Sequence, residues 1–77
     1  MTYSLIIEHN YSDPTYVNDI KTWEEVLDYL RNKLGQWVVR VHIFKLSSNN
    51  RLLGDKVVSM GNLYAVASSK NDKVLLK

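Results

Sequence analysis

Two kinds of apolar spacing meet at Gly35, and together they limit what this chain can fold into more than any other feature of it. Before that point, Trp23, Val26, Leu27, Leu30 and Leu34 recur at helical intervals and form one apolar stripe. After it, residues 37–46 alternate as a strand does. Trp37, Val39, Val41 and Ile43 fall on one face; Val38, Arg40, His42, Phe44 and Leu46 fall on the other. The helix also carries its own boundaries. Thr22 and Glu25 have capping-box spacing, which satisfies backbone N–H groups that the first turn leaves orphaned. Glu24, Glu25 and Asp28 put negative charge where the helix dipole favours it, and Arg31 and Lys33 fall in the last turn. Gly35 is placed to end the helix in a left-handed conformation.

Strand patterns surround this helix. Tyr3, Leu5 and Ile7 alternate with polar neighbours, as in a half-buried strand. Ser12-Asp13-Pro14 has turn chemistry, and Thr15–Val17 is expected to pair back on the first strand. Beyond a loop at 47–50, residues 51–60 read as another strand, in which Gly54 marks a bulge or a close backbone approach. Gly61-Asn62 reads as a two-residue II′ hairpin into residues 63–67, setting Met60 opposite Leu63 and Val58 opposite Ala65. A turn at 69–72 then leads to a last strand, Val74-Leu75-Leu76. The expected fold is α+β, one amphipathic helix on a mostly antiparallel sheet in the order β(β)αββββ. With no repeat or linker, residues 1–77 read as a single domain.

On that pattern both sheet faces are apolar, yet one helix covers only one of them. The sheet either curls into a partly closed small barrel or leaves a face for a partner, which includes a second copy in a homodimer. In outline, a helix followed by a bent meander resembles Sm-like and SH3-like small barrels. No residue motif carries a site over from either.

Composition removes several function classes. Of 77 residues, 45% are hydrophobic and 23% charged, an ordinary globular balance that argues against disorder. The absence of cysteine excludes disulfides, zinc–thiolate sites and thiol nucleophiles, and points to a reducing, cytoplasmic setting. Leu5-Ile6-Ile7 is too short for a signal-peptide core, and no apolar run approaches bilayer-spanning length, so no membrane association is expected. The net charge of +2 hides an asymmetry. Residues 1–30 hold six carboxylates and one lysine, whereas residues 31–77 hold nine Lys or Arg and two carboxylates. Such a division either draws the two halves together in the fold or marks a basic binding surface.

Catalytic constellations are missing from the pattern. His9 and His42 lack metal-ligand spacing, no serine sits in a nucleophile elbow, and Gly35, Gly54 and Gly61 are isolated. No metal, cofactor or enzymatic activity is expected. The candidate binding group is Arg40, His42 and Phe44 along one strand, with Lys45, Arg51 and Lys56 within reach. Cationic and aromatic side chains on one sheet face suit two functions. The first is a protein-interaction module that inhibits or regulates a partner by occupying its surface, as small phage or mobile-element proteins do. The alternative is RNA or single-stranded DNA binding, with bases stacked on the aromatic ring and phosphates met by the cations.

Overall fold

A computed structural model describes residues 1–75. Its centre is a four-stranded antiparallel sheet in the order β2-β1-β3-β4, with β1 at Thr2–His9, β2 at Thr15–Ile20, β3 at Val38–Leu46 and β4 at Leu52–Ser59. The strands expected around Tyr3, Leu5 and Ile7 and at Thr15–Val17 are both present, and the second runs three residues further. Helix α1 spans Trp23–Asp28 and continues into a wider π-helical turn at Tyr29–Lys33. Thr22 Oγ1 accepts from the Glu25 backbone N–H at 3.2 Å, the capping contact expected from the sequence. Trp23, Val26, Leu27 and Leu30 are buried, so the stripe faces the core as predicted.

The expected end of that helix needs correcting. Leu34 leaves it in an extended conformation, φ −83° and ψ 135°, and no glycine has positive φ. Gly35 is therefore not a left-handed cap. Trp37 lies outside β3 and meets Tyr11 edge to face, 5.6 Å between ring centroids.

Three bulges set which side chains face the core. Opposite Glu8 and His9, β3 carries an extra residue, Val39. That insertion turns both Val38 and Val41 inward, so the alternation predicted across residues 37–41 breaks there. On β2, Asn18 and Asp19 both lie between the partners of Tyr3 and Leu5. Asp19 adopts φ 60°, a left-handed conformation that short polar side chains tolerate. On β4, Leu53 is the extra residue next to Gly54, where the sequence had marked a bulge.

The four-strand meander predicted after the helix is corrected to two strands. Residues 60–62 form a 3-10 turn, Leu63–Ala67 a short helix α2, and Asp72–Leu75 another 3-10 turn. Leu76, the end of the last predicted strand, lies outside the described residues. A II′ hairpin needs φ above zero at Gly61, which the backbone does not adopt. The pairings of Met60 with Leu63 and Val58 with Ala65 are accordingly absent. Val66 is buried, with Leu63 and Ala67 packed beside it, a helical interval that serves the core better than a fifth strand.

All these helical segments lie on one side. Tyr3, Leu5, Ile7, Val38, Val41, Ile43 and Val58 from the inner sheet face meet Trp23, Val26, Leu27, Leu30, Val66 and Leu75 in one core. The sheet does not close into a barrel, because β2 and β4 remain separate edges. No helix among the described residues is long and apolar enough to cross a membrane.

Candidate functional site

The uncovered outer face of the sheet is the candidate site. Register places Ser4, Phe44 and Asp55 in one row across β1, β3 and β4. The next row holds Tyr16, Ile6, His42 and Val57, and the one after it Glu8, Arg40 and Ser59. Leu46 and Leu52 face each other at the far end. Tyr16, Val57 and Leu52 are each more than half exposed, although all three are large and apolar.

Charges on this face are matched internally. Arg40 Nε lies 2.6 Å from Glu8 Oε2, its register partner on β1. His42 Nε2 donates to Asp55 Oδ2 at 3.0 Å, across to β4. The His42 ring stacks on Phe44, with centroids 4.0 Å apart and planes at 30°. Alternation along β3 explains that stack, because residues two apart share a face. The result is a band of aromatic and aliphatic surface that also carries the Arg40–Glu8 ion pair and the His42–Asp55 hydrogen bond.

Half of the predicted group sits elsewhere. Arg40, His42 and Phe44 share the outer face as expected. Lys45 has the opposite parity and turns to the helix side, where its Nζ lies 2.8 Å from Asp72 Oδ2. The Tyr3 hydroxyl donates to the same carboxylate. Burial pushes the Asp72 carboxyl up, but hydrogen bonds from Lys45 and Tyr3 and the lysine charge outweigh it, so its pKa lies below the ordinary value. The Tyr3 hydroxyl is pushed up, first by burial and then by the neighbouring carboxylate. Lys56 pairs with Ile43 in register, so it too belongs to the helix side, at the exposed β4 edge. Arg51 is exposed in the β3–β4 loop, its backbone N–H donating to Ser47 Oγ at 3.0 Å.

Glu8, Asp55, Ile6, Tyr16 and Val57 belong to the face but not to the predicted group. Parity along each strand would have nominated Ile6 and Glu8; the cross-strand partners need the register. Among the described residues, no three His, Cys, Asp or Glu side chains gather as a metal site would require. At the two sheet edges the charges differ in sign: Asp13 and Asp19 lie beside and in β2, whereas Arg51 and Lys56 lie beside and in β4. In comparisons with known proteins, no family model, no curated protein and no solved structure matches the chain.

Proposed function

We propose that this chain is a non-enzymatic protein-interaction module that inhibits or regulates a partner protein by docking its open sheet face on that partner's surface. One observation carries the reading: the outer face exposes Tyr16, Leu52 and Val57 beside the His42–Phe44 stack, with no element of the described chain over them. Water-exposed apolar surface of this kind gains free energy when a partner covers it, and aromatic anchors typically dominate such interfaces. The ion pairs weigh against a phosphate-binding role for this face. Arg40 and His42 each already meet a carboxylate, so phosphate would have to displace Glu8 or Asp55.

The test uses tagged protein in native lysate, with and without nuclease, comparing wild type with a Phe44→Ala, Leu52→Lys double variant of matched melting temperature. A stoichiometric protein partner that survives nuclease and binds the variant at least about thirtyfold more weakly is expected, since losing an anchor costs about 2 kcal/mol or more. Loss of every partner on nuclease treatment would favour the nucleic-acid reading. A protein partner that binds the variant normally would place its interface off this face.

A further inference from the structure

A second surface, on the helix side of β4 and meeting the outer face at Val57, is organised to hold a polypeptide. Among the described residues, strand β4 has a hydrogen-bonded neighbour, β3, on one side only. Its pairing is regular from Gly54 to Ser59, since the bulge at Leu53 falls before that stretch. The opposite edge, β2, is interrupted by the bulge at Asn18 and Asp19, which blunts it as a template. Lys56, Val57 and Val58 of β4 also form one wall of a cavity of about 320 Å³. Asn62, just before α2, Ala65 and Val66 of α2, and Val74 line the rest among the described residues. The cavity thus lies directly beneath the free edge, on the helix side of the sheet.

We propose that the β4 edge is an acceptor for an extended acidic segment of a partner protein, which adds as a fifth strand and lowers an apolar side chain into this cavity. Backbone groups along Gly54–Ser59 supply the ladder that strand addition requires. In such a strand every second side chain points to the helix side, roughly 7 Å apart, so one or two residues meet the cavity. Val58, Val66, Val74 and Ala65 in its lining favour an aliphatic side chain there, with Lys56 and Asn62 as its polar members. Acidic flanks follow from charge. Arg51 and Lys56 are exposed beside and in β4, while Asp55 already engages His42 on the outer face. A second copy offering its acidic β2 edge would instead make a head-to-tail contact, which builds a ring or an open chain and not a two-fold dimer.

The probe is the synthetic peptide acetyl-Asp-Thr-Ile-Thr-Ile-Thr-Asp-amide, titrated into isotope-labelled full chain by NMR. Amide shifts are expected in Gly54–Ser59, α2 and Val74. Backbone N-methylation of one alternate set of peptide residues should abolish binding, while methylation of the other set is tolerated, because only one set faces β4. Lys56→Glu, which reverses the charge at the cavity lip, and Ala65→Trp, which fills the cavity from an exposed position, should each weaken binding about tenfold or more with the melting temperature preserved. Phe44→Ala should leave peptide binding unchanged, which keeps the outcome here separate from that of the outer-face reading. The proposal is overturned by any of four results. These are no shift at about 1 mM peptide, shifts centred on Ile6, His42 and Phe44, equal binding of both methylated sets, or dilution-dependent shifts of the β4 amides in the free protein.

Discussion

Lys45 and Asp72 meet at 2.8 Å with less than a fifth of either side chain exposed. Neither charge has much water to fall back on, so each depends on the other, and removing one strands its partner. Asp72→Asn should therefore cost about 3 kcal/mol, even though an amide oxygen still accepts from Tyr3. The direction of the pH dependence follows from the shifts. Asp72 titrates lower in the folded chain than in the unfolded one, so its contribution is complete above about pH 4 and fades as the pH falls through the folded value. Tyr3 titrates higher in the folded chain, so its contribution is complete below about pH 10 and fades as the pH rises beyond that. Melting temperature against pH should show a flatter acid limb for Asp72→Asn than for wild type. An unchanged limb would mean that other carboxylates govern acid unfolding. Nothing local in the sequence announced this cluster, because Tyr3, Lys45 and Asp72 come together only once β1, β3 and the last 3-10 turn are assembled.

At the scale of single elements, α1 and α2 show why one helix was legible and the other was not. For α1, the cap at Thr22, the acidic first turn and the apolar interval all agree over a dozen residues. Trp23 anchors it, packing 5.7 Å from the Tyr3 ring and donating its indole N–H to the Ser69 carbonyl at 3.3 Å. Trp23→Ala should cost about 3–5 kcal/mol, and Thr22→Ala about 1 kcal/mol, read from chemical denaturation midpoints. A Trp23→Ala midpoint near that of wild type would show that this contact is dispensable. In α2, by contrast, Leu63-Tyr64-Ala65-Val66-Ala67 is apolar throughout, so five residues fit a strand period or a helical one equally well. Packing decides between them: Val66 enters the core while Tyr64 is left almost wholly exposed. Arg31 strengthens the choice by donating twice to the Ala67 carbonyl, at 3.0 and 2.6 Å, at the end of α2. Gly61 tests the difference directly. A Cβ there meets nothing within 4 Å and φ is not positive, so Gly61→Ala should raise stability by about 0.4–1 kcal/mol. A hairpin at that position would instead be weakened by the same change. The candidate site was legible to the extent that strand parity reaches. Arg40, His42 and Phe44 stayed together, while Lys45 and Lys56 parted from them because the number of residues between two positions, and any bulge, decides the face.

Across the whole molecule, the sheet is protected unevenly. β1 and β3 have strands on both sides, whereas β2 and β4 each have one free edge. Hydrogen exchange should accordingly be slowest in β1 and β3, with β4 amides opening earlier. Equal protection in β4 would indicate that its edge is covered in solution. Zinc or a chelator should leave the melting temperature unchanged, since the described residues gather no metal-ligand cluster for mass action to exploit. The strand order has one more consequence, which concerns how the chain is made. β1 is synthesised first but sits between β2 and β3, and its longest ladder joins Thr2 to Leu46. Leu75, completely buried in the same core, emerges later still. At about 5–20 residues per second, roughly 4–14 s separate Leu5 from Leu75 on the ribosome. During that interval β1, β2 and α1 can assemble, but the core they share still lacks Val58, Val66 and Leu75. Chaperone contact over those seconds should therefore lower the share of the chain lost to aggregation.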